Sequence, residues 1–360
     1  MATYKPARLF VSEAQLSFQP VIEKAPPLPV INFASVGQVA PKLLTHSGSS
    51  LPVADTIVIT WADAEWAAMQ HVFCAGHTTM PYSDRSESSW SGWTKYAKNL
   101  PANPPEDWDF WGEWRLVEIG GKTVMLWKSN THLDFPGESQ LTAMIKLLIT
   151  EVKPKLILSI GTAGGAKTED HVGTVRAVSA GTLYEADASP SAWPDYKNAW
   201  TANDTVLNNP AFGGLLFAIP TTMSDLDSLV TQFNKQYKTT YTLKDLDPDG
   251  LNQGDASAKI FDQTGGGTAL LTTPTFVVGT TDGAYQKFAA IEMDDAIIAE
   301  TCNAPGVQFG FVRNISDPVQ SAALPAEMQG NWGSTIYDTY GFFTSYNGAL
   351  AAWAMLAGEA

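Results

Sequence analysis

The sequence predicts an α/β fold of three layers, with a central mixed sheet flanked by helices. Short β-branched runs such as Thr56–Thr60 alternate with amphipathic stretches such as Ser139–Ile149. Strands that alternate with helices need crossover connections, and these place helices on both faces of a sheet. A chain of 360 residues, 44% of them hydrophobic, supplies a core for one large decorated domain.

Residues 1–54 read as an N-terminal arm. Pro20, Pro26, Pro27 and Pro29 break any helix, and Ser47–Ser50 reads as a loop. The apolar Leu9, Phe10, Val21 and Ile22 favour an ordered arm over a loose tail. The domain proper is expected over 55–360. It opens with Thr56–Thr60 (TIVIT) as a buried strand, followed by a helix over Ala62–Phe73. Residues 80–114, with Trp90, Trp93, Trp108, Trp111 and Trp114, read as an irregular insertion. Thr123–Trp127 is a second strand, Ser139–Ile149 a helix, and Leu156–Ile160 a third strand ending at Gly161. Val172–Ser179 and Thr182–Glu185 are strand-like. Residues 186–265, rich in Pro, Asn, Asp and Gly, form a second insertion with a helix near Ser224–Gln236. Then follow a strand at Thr275–Val278, a helix at Met293–Cys302, a strand at Val307–Val312 and an apolar helix at Tyr337–Leu356.

A net charge of -15 repels phosphate backbones, which argues against polymeric nucleic acid as a partner. One pocket can differ from the global field, so a small nucleoside remains compatible. Cys74 and Cys302 are far apart and make no disulfide framework, as suits a reducing compartment. Met1–Phe10 lacks the apolar core of a signal peptide, and no apolar run reaches bilayer length. The expectation is a cytoplasmic protein with no membrane partner.

Two motifs are decoys. Gly161-Thr-Ala-Gly-Gly-Ala-Lys167-Thr168 nearly spells a P-loop, but Ala166 replaces its last glycine. A P-loop must also open a helix, whereas the residues after Thr168 lead through a turn into a strand. His71, Cys74 and His77 share the spacing of a metal site, yet no fourth ligand is evident and Gly76 marks a helix end. A buried cysteine at a fraying helix is the better reading, and neither metal nor cofactor is expected. A third feature is a set of acids. Asp294 and Asp295 open a helix after Ile291-Glu292-Met293, and Asp317 closes a buried strand. Each has an ordinary structural explanation at a helix N-terminus or strand end. Together they place carboxylates at strand ends of an α/β sheet, where ligands bind.

An ordered set of segments resembles the nucleoside phosphorylase/nucleosidase superfamily, most of all the methylthioadenosine/S-adenosylhomocysteine nucleosidases. Leu158-Ser-Ile-Gly161-Thr-Ala-Gly-Gly165, then Val172-Gly-Thr-Val175, is similar to its glycine-rich strand-turn-strand, with Glu185-Ala-Asp187 following. Ile291-Glu-Met-Asp294 resembles the ribose motif V-E-M-E, and Val312-Arg-Asn-Ile-Ser-Asp317 resembles V-R-x-I-S-D. Lys128-Ser129 and Thr60-Trp-Ala-Asp-Ala-Glu65 match a K-S pair and an acid-rich first turn.

The resemblance implies a phosphorylase/hydrolase-like fold and cleavage of a purine N-glycoside. Asp317 would deliver a proton to the leaving base, and Glu65 would orient and deprotonate water. Asp294 would grip the ribose hydroxyls with Glu292 beside it, while Met293 packs on the sugar face. Ser129, Gly161, Thr162, Ala163 and Gly164 would line the substrate. Gly279-Thr-Thr-Asp282-Gly-Ala-Tyr285 is similar to the family's base-binding S-x-D-x-F, so Asp282 would hold a purine edge and Tyr285 would stack.

Three departures stand out. Ser129-Asn-Thr-His132 replaces a G-x-G turn, Asp294 is one methylene shorter than Glu, and Ala284 sits at an aromatic position. Ser159 also occupies a place where hexameric phosphorylases carry Arg, which tilts the expectation toward hydrolysis. The expected function is a purine nucleosidase acting on an adenosine-type nucleoside, with a 5′-thio group as one option. The alternatives are a phosphate-dependent phosphorylase and a non-catalytic, nucleoside-binding or storage-type relative. The resemblance also implies a homo-oligomer.

Overall fold

The structure, a computed structural model, describes residues 25–48, 50–75, 79–81, 92–219, 226–253, 259–283 and 285–358. Among the described residues thirteen strands join in one mixed sheet. They are β1 (Lys42–Leu44), β2 (Thr56–Thr60), β3 (Thr94–Tyr96), β4 (Gly112–Ile119), β5 (Lys122–Ser129), β6 (Leu156–Gly165) and β7 (Val175–Val178). After them come β8 (Ala180–Leu183), β9 (Asp195–Lys197), β10 (Ile260–Asp262), β11 (Leu270–Thr272), β12 (Ala290–Glu292) and β13 (Gln308–Asp317). The main helices are α1 (Asp63–Met69), α2 (Glu138–Val152), α3 (Leu226–Tyr237), α4 (Asp295–Asn303) and α5 (Ala326–Ala357). The expected α/β architecture is therefore present.

The centre of the sheet is parallel. β2 lies between β5 and β6, and β13 lies on the other side of β6 in a register that starts at Gln308 opposite Leu156. Every residue of β2 is buried, the pattern of a strand covered on both faces. α1 and α5 pack in one apolar cluster with Val58, Leu158 and Val312, while α2 and α4 pack in another with Ile57, Ile59 and Phe311. Neighbouring residues of each strand thus feed opposite faces. α5 is buried along most of its length, with Trp332, Phe342, Phe343 and Trp353 in the core and buried polar residues such as Asn331, Thr344 and Asn347 among them.

β6 and β13 run further than expected. β6 continues past Gly161 to Gly165, where it turns to pair antiparallel with β12, and β13 continues to Asp317. Both long strands carry their last residues into the same end of the sheet. Because β6 stays extended through Gly165, Gly161–Thr168 opens no helix.

Several expectations need correction. Thr275–Val278 is no strand; the strand there is β11, which ends at Thr272. Pro274 follows, and proline cannot donate to a ladder. The stretch 80–114 is not wholly irregular. It supplies β3 and the start of β4, and it buries Trp108 and Trp111. The last helix begins at Ala326, eleven residues before Tyr337. Gly330, Asn331 and Gly333 in that first part have low helix propensity. α1 does not run unbroken to Phe73 but passes into a π-helical stretch over Gln70–Ala75.

The described part of the N-terminal region joins the domain. β1 pairs with β4, and Leu28, Ile31, Phe33 and Val36 are buried in the cluster around α5. The stretch 186–265 contributes β9, α3 and β10. It also docks on α5 by polar contacts: the Tyr346 hydroxyl donates to Leu215 O at 2.8 Å, and Asn347 Oδ1 accepts from Phe217 N at 2.8 Å. Leu9, Phe10, Pro20, Val21, Ile22, Ser49, Gly76, His77, Trp90, Ser224 and Ala284 lie outside the described residues. Among the described residues no helix is long and apolar enough to cross a membrane.

Candidate active site

The parallel strands β2, β6 and β13 end on one edge of the sheet, and a cavity opens there. It is a cleft partly open to solvent, lined by both polar and apolar side chains. Four segments bring carboxylates or backbone donors to it: the turn after β2, the bent end of β6, the β12–α4 junction and the end of β13.

Glu65 lies in the first turn of α1 and folds back on the end of β2. Its Oε2 accepts from the Thr60 hydroxyl at 3.1 Å and from Trp61 N and Ala62 N at 2.9 Å each. Its Oε1 accepts from Thr162 N at 2.7 Å and the Thr162 hydroxyl at 2.6 Å. Five donors therefore converge on a carboxylate with about four lone-pair sites. This joins the ends of β2 and β6. Gly161 is required beneath it, since a Cβ there would lie 2.5 Å from Arg313 Nη1 and 2.8 Å from Glu65 Oε1.

Arg313 is a charge in the middle of a buried strand, and acids surround it. Its Nε donates to Asp295 Oδ2 at 2.8 Å, and its Nη2 donates to Glu292 Oε2 at 3.1 Å, to Asp295 Oδ1 and to Ser159 Oγ at 3.0 Å. Nη1 reaches Thr162 O at 3.3 Å. Glu292 also accepts from Thr272 Oγ1 and from the backbone N–H of Asp294 at 2.7 Å and of Asp295 at 3.1 Å. Burial and the nearby Asp295 charge push the Glu292 carboxyl up. These bonds fix the β12–α4 junction rather than leave Glu292 and Asp295 free to move.

Asp294 is differently placed. Its Oδ1 accepts from Leu133 N at 2.8 Å, and its Oδ2 lies 3.5 Å from His132 Nδ1. Burial raises its carboxyl to about 7. Asp317 ends β13. Its Oδ1 accepts from the Ser316 hydroxyl at 2.7 Å, while Oδ2 is buried with no hydrogen-bond partner. Burial raises this carboxyl also to about 7.

Of the residues expected at the site, Glu65, Thr162, Ala163, Gly164, Glu292, Met293, Asp294 and Asp317 line the cavity together. Four others do not. Gly161 stands behind the wall, as described. The Ser129 hydroxyl is turned inward, donating to Thr131 O at 2.6 Å. Asp282 accepts from Thr280 Oγ1 within its own turn, and Tyr285 packs beside the cluster of Trp193 and Phe288. The segment that reaches the cavity is instead Thr273–Val277, with Phe276 in its wall. The chain leaves the sheet at Pro274, before the expected motif, so the motif lies too far along to reach. Sequence reasoning also missed Trp61, Ser334 and Tyr337 as lining residues. Arg313 had a readable signal, a charge inside an apolar run; Phe276 and Tyr337 had none.

No family model matches the chain, and no curated protein sequence matches it. Solved structures do. One is the 5′-methylthioadenosine/S-adenosylhomocysteine nucleosidase of Neisseria meningitidis, with a TM-score of 0.45 and 13% identity over 84% of this chain and 99% of that one. Another is the futalosine hydrolase of Helicobacter pylori, with a TM-score of 0.43 and 12% identity over 84% of this chain and 97% of that one. A putative 5′-methylthioadenosine/S-adenosylhomocysteine nucleosidase of Borrelia burgdorferi, bound to adenine, gives a TM-score of 0.47 and 14% identity over 83% of this chain and 98% of that one.

Proposed function

We propose that the chain hydrolyses the N-glycosidic bond of a purine nucleoside of the adenosine type. The observation that carries this reading is the convergence of four carboxylates, Glu65, Glu292, Asp294 and Asp317, in one cavity whose remaining wall includes Phe276, Met293 and Tyr337. Flat apolar surface suits a base and a sugar face, and acids suit hydroxyls and a leaving group that must gain a proton.

In this reading Asp317 is the general acid. A carboxyl that keeps its proton to about pH 7 has one to give near neutrality. The bond between the anomeric carbon and the base nitrogen breaks with its electron pair going to the base, and Asp317 protonates the base. The sugar then carries oxocarbenium character, which the nearby carboxylates stabilise. Water adds to the anomeric carbon and gives its proton to Glu65. For water to reach Glu65 Oε1, the Thr162 hydroxyl yields its place there, since that oxygen already holds two donors.

Hydrolysis is preferred over phosphorolysis because the donors that would cradle phosphate are committed. The N–H groups of Trp61, Ala62 and Thr162 point at Glu65, and Arg313 serves Asp295, Glu292 and Ser159. The test is product release from adenosine and 5′-methylthioadenosine with and without phosphate. Free adenine released at the same rate in both supports a hydrolase. Strict phosphate dependence replaces it with a phosphorylase, and no release from any purine nucleoside overturns the reading.

A further inference from the structure

We propose that Ser316 is a positioning residue for Asp317: a β-bulge sets the two side chains on one face, and the Ser316 hydroxyl holds one oxygen of the carboxyl so that the transferable proton rides on the other. The inference rests on the nucleosidase reading above, in which Asp317 is the general acid. The register of β13 against β6 pairs Ile315 with Ala163 and then Asp317 with Gly164. Ser316 is therefore an extra residue without a register partner on β6. Successive residues of a regular strand point to opposite faces. A bulge breaks that alternation and re-aims a side chain, and it is uncommon between parallel strands. Here Ser316 and Asp317, consecutive in the chain, both line the cavity.

The contact between them is direct. The Ser316 hydroxyl donates to Asp317 Oδ1 at 2.7 Å, and its oxygen lies 3.4 Å from Ala163 O. A hydroxyl has one proton to give, and the shorter contact takes it. With Oδ1 already accepting, a neutral Asp317 carboxyl carries its own proton on Oδ2. That oxygen has no hydrogen-bond partner, and it faces two residues without side chains. A Cβ at Gly164 would lie 3.1 Å from it and one at Gly333 3.7 Å, so the approach is open from both β6 and α5. When Oδ2 gives up its proton, the bond from Ser316 becomes charge-assisted and strengthens. The hydroxyl thus stabilises Asp317 more after the transfer than before it, which is the difference that speeds a step. The other ionisable groups of the cavity are Glu65 on α1, Glu292 and Asp294 at the β12–α4 junction, Arg313 on β13 and Tyr337 on α5. None of them hydrogen-bonds Asp317; among the described residues Ser316 is its one side-chain donor. Burial raises the carboxyl to about 7, and the Ser316 bond alone opposes that rise.

The experiment compares wild type, Ser316→Ala and Ser316→Thr on adenosine from pH 5 to 9, with thermal melts to show that each is folded. Beside it, an infrared titration follows the carboxyl stretch that Asp317→Asn removes, which reads Asp317 without any turnover. Ser316→Ala removes the donor. Its kcat should fall about tenfold with KM little changed. The falling limb above about pH 7 and the infrared midpoint should both move up by about one to two pH units, on the scale of one hydrogen bond lost to a charged group. Ser316→Thr keeps the hydroxyl and should restore limb and midpoint. A midpoint that stays in place in Ser316→Ala, or that moves as far in Ser316→Thr, overturns the inference and leaves the nucleosidase reading intact. So does an equal loss of rate at every pH with no shift of the limb, which marks a merely structural side chain. Wild type that releases no adenine overturns the nucleosidase reading, while the infrared midpoint still tells whether Ser316 holds Asp317.

Discussion

The Ser316 hydroxyl donates to Asp317 Oδ1 at 2.7 Å, while the neighbouring Oδ2 is buried without a hydrogen-bond partner. A carboxylate satisfied on one oxygen only is poorly stabilised in its charged form, and burial raises Asp317 to about 7. Replacing Asp317 by Asn keeps the shape and removes the acid. Glycosidic cleavage is expected to fall about a hundredfold or more, the usual scale for a positioned general acid. In wild type the rate should decline above about pH 7 as the acid is lost, and the variant should lack that limb. Steady-state rates from pH 5 to 9 check this; activity within a few-fold of wild type removes Asp317 from the role.

The same shift makes a statement about stability. The folded Asp317 holds its proton to about 7, whereas the ordinary carboxyl releases it near 3.8. Between these values the folded state binds more protons than the unfolded one, so the stability Asp317 contributes is present at low pH and lost as pH rises through 7. Asp294, also raised to about 7, adds in the same direction. Asp317→Asn should therefore melt a few degrees higher than wild type at pH 8 and close to it at pH 4. A variant that melts lower at pH 8 would show that the buried carboxylate is better satisfied than its hydrogen bonds indicate.

Glu65 behaves as a structural clasp whatever its chemistry. Three backbone N–H groups and two hydroxyls point at it. In Glu65→Gln one oxygen becomes an NH₂ that must face either Trp61 and Ala62 or Thr162, setting donor against donor. The expected cost is about 1–3 kcal/mol of stability together with loss of turnover. Chemical denaturation and a calorimetric titration with adenosine separate the two effects. Full stability in the variant would mean that the clasp contributes nothing to holding β2 and β6 together.

Much of this arrangement was legible in the sequence. Thr56–Thr60, Leu156–Ile160 and Val307–Val312 are compact β-branched or apolar runs, and each forms a strand of the central sheet. Glu65 and Asp317 follow the parallel strands β2 and β13, which carry them to one edge, whereas Asp294 follows β12, a strand not expected from the sequence that pairs antiparallel with the bent end of β6. What stayed hidden depends on contacts distant in sequence. β4 lies among tryptophans whose burial is set by the turn they brace, not by period-two alternation. Phe276 reaches the cavity only because the chain leaves the sheet at Pro274, and Tyr337 only because α5 starts at Ala326 and passes the end of β13. Ser129 is expected at the substrate only through the likeness of Lys128-Ser129 to a K-S pair, but the local turn claims its hydroxyl first.

The last prediction concerns Gly161. Its site needs the absence of a side chain on steric grounds alone, because a Cβ would meet the Arg313 guanidinium and the Glu65 carboxylate at once. Arg313 cannot retreat without releasing Asp295 and Glu292, and an uncompensated buried charge costs about 3–5 kcal/mol. Gly161→Ala is thus expected to destabilise the fold far beyond the small effect of an ordinary Gly-to-Ala change in a strand. Gly213→Ala is the control, since nothing lies within 4 Å of a Cβ at that position. Melting temperatures of the two variants against wild type read the difference. Equal small shifts would mean that the Arg313 network has slack, and that the close packing of Gly161 against Glu65 and Arg313 does not hold the site in place.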